Sequence, residues 1–282
     1  VYRRELRQYE WSLHVYSKIE RSKVRLQRLK FVDKVEISKT KVPGSSDLID
    51  LNFKITERKA GEFKISAGWS DSDGALFDVD LKQDNFLGGG KNVAIKVAKS
   101  SVNTALQFYL TDPYYTPDGV SKTINIIVSE TDVTGISTAS YLSDTFGGGV
   151  MYNTPISETE YIGVGYDILL KQYTTTIASP IIVTHHVADH GDRSLGVDLK
   201  ANYSSDTRNR TRFAETGILH SLSGNLFLGV DGASYISGRY NTEVNIPYTM
   251  KTFGFDWNTV FQLKTQLGIG AWFISKNITR FL

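Results

Sequence analysis

Residues 112–121 read DPYYTPDGVS, and the segments on either side of this stretch alternate apolar with polar side chains. Proline fixes φ, glycine admits the left-handed conformation, and aspartate bonds to backbone two residues on, so a run this rich in all three reverses the chain. Before it, Leu106, Phe108 and Leu110 share one face of an extended segment; after it, Ile124, Ile126 and Val128 do the same. Two such strands with one oily and one wet face fit a membrane-spanning β-barrel, with lipid outside and water within.

The same period of two runs outward in both directions. Phe63, Ile65, Ala67 and Trp69 alternate with Lys64, Ser66 and Gly68, and Phe77, Val79 and Leu81 alternate with Asp78, Asp80 and Lys82. It continues in Val93, Ile95 and Val97, in Ile162 through Leu170, in Val197 through Tyr203, and in Leu263, Leu267, Ile269 and Ala271. A soluble sandwich also alternates, but Asp78, Asp80 and Lys82 need a face wet enough to hold three charges. About eleven strands can be read, and their connections form two alternating sets. One set is 86–91, 112–121, 157–160, 206–217 and 255–258; the other is 70–74, 100–103, 131–144, 174–194 and 229–238. The two longest connections, around Gly135 and His186, both fall in the second set. An up-and-down barrel puts every second connection on one side and the longer loops outside. Greek-key links give no reason for that parity.

Composition agrees. The 282 residues include 24 glycines, 12% aromatics and no cysteine, with a net charge of +2. That balance does not suit nucleic-acid binding. Mean hydropathy is −0.22, and no apolar run approaches the roughly 20 residues of a membrane helix. Val1 follows no signal peptide, so the sequence reads as a mature or trimmed piece.

Residues 1–31 predict two helices, from Leu6, Tyr9 and Leu13 and from Ile19, Val24, Leu26 and Leu29, with Ser17 as N-cap and Glu20 completing a capping box. Strands over 34–39 and 48–57, joined by the turn 42–47, complete a small α+β module ending near Arg58.

At this point four segments carry a resemblance: VYRRELR at 1–7, IERSKVRLQRL at 19–29, QDNFLGGG at 83–90 and DPYYTPDGVS at 112–121. In sequence and order they resemble the BamA family, which assembles outer-membrane proteins in bacteria. The likeness is thinner after Thr131 and returns over 203–217, where NRTRFAETG has Ala214 in a position the family gives to proline. The resemblance implies a mainly β fold: an antiparallel transmembrane β-barrel preceded by an α+β POTRA module. Residues 1–59 would be the last POTRA module without its first strand, and 60–282 the N-terminal part of the barrel. The barrel would hold about eleven of about sixteen strands. The family's late Arg-Gly-Phe/Tyr loop is not found, since Gly238-Arg239-Tyr240 has the wrong order, and the chain ends Thr279-Arg280-Phe281-Leu282 without the terminal aromatic. The sequence therefore reads as an internal piece of a longer protein, and so partial a sheet would leave two edges that hydrocarbon does not tolerate.

By the same resemblance, function would be the folding and insertion of barrel proteins by strand templating at a lateral gate. The gate edge would be Gly61, Glu62, Phe63, Lys64, Ile65, Ser66, Ala67, Gly68 and Trp69, with Gly61 and Gly68 loosening the strand. Arg3, Arg4, Glu5 and Arg7 would form a charged face for a periplasmic lipoprotein subunit of an assembly complex. The other partners would be outer-membrane lipids and unfolded outer-membrane protein clients. The protein would lie in the bacterial outer membrane with its POTRA module in the periplasm. It would be no enzyme and use no cofactor, metal or nucleic acid.

Other motifs point less far. Gly88-Gly89-Gly90-Lys91 fails the phosphate-loop pattern at Asn85 and Asn92 and reads as a tight turn. His185, His186, Asp189, His190 and Asp192 have the ligand types for a divalent ion, yet all lie in one polar loop without a scaffold. His220 and Ser221 have the residue types of a hydrolase pair, but strand neighbours point to opposite faces. Trp69, Phe86, Tyr114, Tyr115, Phe255 and Trp257 suit aromatic girdles at the membrane interfaces. The alternatives are a two-partner-type secretion pore of the same superfamily and a passive porin or structural barrel; a barrel enzyme is disfavoured by the His/Ser geometry.

Overall fold

The computed structural model describes residues 1–45, 47–71, 73–134, 140–157, 159–209, 214–231, 233–252 and 255–274. A 3-10 turn at Tyr2–Glu5 is followed by helix α1 (Tyr16–Arg28) and a two-stranded antiparallel sheet of β1 (Val32–Lys41) and β2 (Ile49–Glu57). The expected first helix is a correction. Residues 6–15 form a loop that Gln8 organises: its side-chain amide donates to Ser12 Oγ at 2.8 Å and the Leu13 carbonyl at 2.9 Å, and accepts from Val15 N–H at 3.2 Å. Those bonds stand in for the helical ladder that Leu6, Tyr9 and Leu13 suggested.

The expected cap is also corrected. Val15 occupies the N-cap without a side-chain bond, and Ser17 lies inside the first turn. Helix α1 presents Ile19, Ser22 and Leu26 inward, each at most 2% exposed, whereas Val24 points out at 43%. Positions 19, 22 and 26 lie on one stripe at a period of 3.6, and 24 does not. Leu26 joins Phe31, Val32 and Val35 in the small core, with Leu6, Leu29, Phe53 and Ile55 packed against it. Ser22 Oγ replaces an apolar residue because it accepts from Arg7 N–H at 2.8 Å and fastens the loop to the helix.

From Gly61 onward the chain forms one antiparallel sheet of eleven consecutive strands, as the period-two reading requires. They are β3 (Gly61–Ser70), β4 (Gly74–Phe86), β5 (Lys91–Lys99), β6 (Asn103–Asp112), β7 (Ser121–Asp132), β8 (Tyr141–Pro155), β9 (Glu160–Thr175), β10 (Arg193–Asp206), β11 (Gly217–Gly229), β12 (Ala233–Thr252) and β13 (Phe255–Ile274). Two connections are shorter than read: 233–238 belong to β12 and 255–258 to β13. The long connection after β9 contains helix α2 (Ile181–His190), where the sequence showed only a polar loop. No helix among the described residues is long and apolar enough to cross a membrane, which says nothing of strands.

Register aligns side chains into rows across the sheet. One row runs Phe63, Leu81, Ile95, Phe108, Ile126, Gly148, Ile168, Val197 and Leu228. No second layer covers it: Phe63 is 62% exposed and Ile168 52%. A soluble protein rarely leaves so continuous an apolar face open. The opposite face carries Lys64, Asp80, Lys96 and Gln107 in one row. The next holds Asn125, Gly149, Asp167 and Asp198.

That polar face has its own bonded network. Asn125 Nδ2 donates to Asp167 Oδ2 at 3.3 Å across the bare Gly149, where an added Cβ would lie 2.3 Å from Asp167 Oδ1. Lys200 pairs with the same carboxylate, and Lys171 Nζ donates to Tyr235 Oη at 3.0 Å above the Phe227 ring.

Candidate functional site: the open edge of the sheet and its junction with the helical module

The strand expected to form the gate is the first of the sheet. Among the described residues β3 pairs with β4 alone, from Gly61 opposite Gln83 to Ser70 opposite Gly74. Its far side meets no strand, and neither does the far side of β13, so the eleven strands do not close on themselves. Phe63, Ile65 and Trp69 lie on the apolar face at 62%, 62% and 75% exposure. Glu62, Lys64 and Ser66 face the polar side opposite Lys82, Asp80 and Asp78. The structure thus brings together all nine expected edge residues. Gly68 has open space around it, since an added Cβ would meet only Leu76 at 3.9 Å.

Directly beneath this edge the helical module meets the turns of the sheet. Asp84 N–H donates to the Ala60 carbonyl at 3.1 Å, tying the start of β3 to the end of β4. The turn after β4 reverses through Asn85 and Leu87, both at positive φ, and through Gly88 and Gly90. Gly90 is required by contact as well as by φ: a Cβ there would come within 2.6 Å of Arg4 Nη2. The 112–121 turn folds as its composition demands. Tyr114 N–H donates to Asp112 Oδ1 at 3.1 Å, and Gly119, at φ 88°, donates to the Thr116 carbonyl.

Tyr114 is the centre of the junction. Its ring lies 4.3 Å beneath the Arg4 guanidinium, and its hydroxyl accepts from Arg25 Nη2 at 3.0 Å. Arg25 Nη2 also pairs with Glu5 Oε2 at 2.8 Å. Burial, then the Glu5 carboxylate, push the Tyr114 phenol above its usual range. Tyr114 is therefore a junction residue rather than part of a girdle. Tyr115, Trp69 and Phe86 remain exposed, and the Tyr115 ring meets Tyr152 at a tilt of 58° with centroids 5.8 Å apart. The side chains of Phe255 and Trp257 lie outside the described residues.

Of the four charged positions expected to dock a partner, two point inward here. Glu5 is 3% exposed and Arg4 rests on Tyr114, while Arg3 reaches solvent and pairs with Glu10 at 2.7 Å. Arg7 is exposed. Nothing in the sequence marked Arg25 or Tyr114 as their partners.

The remaining candidates stay apart. His186 stacks on His190 at 5.0 Å and meets Tyr173 edge-on at 5.3 Å, so α2 is seated on the polar face of β9. Among the described residues no group of three or more His, Cys, Asp or Glu converges on a point that could hold a metal. His220 and Ser221 do point to opposite faces: His220 Nδ1 lies 2.8 Å from Tyr240 Oη, and Ser221 accepts from Asn241.

A single-layer antiparallel sheet, apolar outside and charged inside, with successive strands joined up and down, defines the wall of a membrane β-barrel. Residues 85–282 match the Omp85 superfamily domain, and the chain belongs to that superfamily. Its resemblance to BamA holds in sequence. It is 36% identical over 178 residues to "Outer membrane protein assembly factor BamA" of Neisseria meningitidis serogroup B, covering 62% of this chain and 22% of that protein. The protein of the same name from Buchnera aphidicola is 24% identical over 115 residues, 41% of this chain and 19% of that one. The chain thus spans about a fifth of the length of these curated relatives. The crystal structure of BamA from Haemophilus ducreyi lacking POTRA domains 1-3 superposes with a TM-score of 0.78 at 24% identity, over 98% of this chain and 53% of that one. CdiB from Acinetobacter baumannii follows at 0.52 and 10% identity, over 94% and 49%.

Proposed function

We propose that this chain is the gate-bearing part of an outer-membrane protein assembly factor, with residues 1–59 as its last POTRA module and 60–282 as the start of its barrel. The observation that carries the reading is the place of β3, the first strand of the sheet, following directly on the helical module and tied at its start by the Asp84 N–H to the Ala60 carbonyl. The strand's backbone donors and acceptors sit between an apolar and a charged face, and in hydrocarbon such groups gain strongly from an added strand. A client's extended segment supplies those bonds by β-augmentation, and the reaction makes no covalent bond. The charge pattern of Arg3 and Arg7 leaves these two as the contacts for a periplasmic lipoprotein subunit.

A secretion pore of the same superfamily shares the fold. The likeness in sequence to BamA at 36% identity favours the assembly factor.

This chain has no cysteine, and single cysteines at Lys64, Ser66 or Gly68 are introduced into the full-length protein after any cysteine elsewhere in it has been replaced. Disulfide formation with a cysteine in the terminal strand of a stalled client is expected at alternate positions along β3. Uniform absence of such crosslinks, in a barrel that is assembled and active, would sink the proposal.

A further inference from the structure

Three neighbouring strands, β10, β11 and β12, place Ala201, Gly224 and Gly238 side by side in one row on the apolar face. The rows on either side are large: Tyr203, Leu222 and Tyr240 toward one end of the strands, Leu199, Leu226 and Ile236 toward the other. Between them lies a groove of about 700 Å³. At about 4.8 Å per strand the groove floor runs about 10 Å across the three strands, crosswise to the chain direction. Its lining rejects water, and it is continuous with the outward wall, so it opens onto hydrocarbon.

One row beyond Tyr203 the same outward face turns polar. Glu160, Ser205, His220 and Thr242 stand opposite one another across β9 to β12. Glu160 accepts from Tyr203 Oη at 2.8 Å and Ser157 Oγ at 3.2 Å, and no ion pair neutralises it among the described residues. His220 Nδ1 sits 2.8 Å from Tyr240 Oη and 3.2 Å from Thr242 Oγ1. Glu160 opens β9 next to the turn at its start, so this polar row lies at the end of the strands, at the level where a lipid headgroup meets the barrel. The carboxylate is four residues from the groove floor, about 13 Å along the strand.

We propose that this surface is a binding site for one phospholipid whose headgroup carries an ammonium. The acyl chain fills the groove over Ala201, Gly224 and Gly238, and the ammonium meets Glu160, with the His220 and Thr242 side chains beside it. The lipid fills the depression where three neighbouring strands carry only Ala201, Gly224 and Gly238. The inference rests on the membrane-spanning reading of the sheet.

The test uses the full-length protein released from its membrane into mild detergent, and native mass spectrometry after exchange with phosphatidylethanolamine or phosphatidylglycerol of equal chain length. Wild type is expected to retain one phosphatidylethanolamine per barrel. Gly224→Leu with Gly238→Leu fills the groove and should lower retention at least tenfold. An added Cβ at Gly224 meets only Ser237 O at 3.9 Å, so Gly224→Leu alone serves if the pair fails to fold. Glu160→Gln should erase the preference for the ammonium headgroup while leaving chain retention in place. Heat-modifiable gel mobility reports separately that the barrel is folded. A folded wild type that keeps no lipid, a filled groove that keeps it equally, retention of lipid A instead, or an unchanged preference in Glu160→Gln would each overturn the assignment.

Discussion

Replacing Tyr114 by phenylalanine tests whether the helical module is held against the sheet by the contact seen here. The substitution keeps the ring under Arg4 and removes only the hydroxyl that accepts from Arg25 at 3.0 Å. A hydrogen bond to a charged donor contributes about 1.5 kcal/mol at the lower end of its range. The lower end applies because the Arg25 side chain is 31% exposed. Every 1.4 kcal/mol is tenfold, so the ratio of docked to undocked module should fall about tenfold. Tyr114→Ala also removes the cation–π contact, about another 0.5–1 kcal/mol at a partly exposed site, for a total fall of about thirtyfold or more. With any cysteine outside this chain replaced, spin labels at Ser38 on β1 and Ser101 beyond β5 report the distance distribution in nanodiscs by pulsed electron resonance. A broad second population should appear in Tyr114→Phe and dominate further in Tyr114→Ala. Distance distributions identical to wild type in both variants would refute the reasoning.

Two other outcomes follow from the polar face and its cap. Lys200→Met leaves Asp167, 3% exposed, without its cation and should lower stability by about 3 kcal/mol, read as a shift in the urea midpoint in micelles. Burial first, then His190, depress the His186 imidazole below its ordinary value near 6.5, while Asp231 and Asp189 oppose the shift and Lys171 adds to it. A depressed value means that the folded site favours the neutral ring. The seating of α2 should therefore be complete above pH 6.5 and weaken as pH falls below it. Hydrogen exchange of the α2 amides should accelerate on acidification in wild type and respond less in His186→Leu.

Much of the architecture could be read from sequence because a barrel wall repeats its logic every two residues. Phe63 to Trp69, Phe77 to Leu81 and Leu106 to Leu110 each carry the period by themselves, and the turn at 112–121 carries its own chemistry. Where the fold escaped the sequence, the deciding forces were not periodic. Leu6, Tyr9 and Leu13 suit a helix, but Gln8 bonds three backbone or hydroxyl groups and holds a loop instead. Helix α2 opens after Pro180 without a capping side chain, and its seating comes from His186 on Tyr173, residues on separate elements. The site was legible only in part. The alternation of β3 is the same as that of its neighbours, and its place as the first strand of the sheet is a property of topology that no side chain announces. Nor could spacing tell that Tyr114, and not Tyr115, meets Arg25 from 89 residues away.

The pleat of β3 sets the phase of anything laid against it. Side chains in register with Phe63 and Ile65 come out on the oily flank, and those in register with Lys64 come out on the polar flank that carries Lys64 and, one strand further in, Asp80. A newcomer displaced by a single residue would present its apolar set to that charged ladder and its polar set to acyl chains, an error multiplied at every position. In the strand addition proposed above, this pleat would select incoming segments by parity before any particular side chain is recognised, and without a pocket.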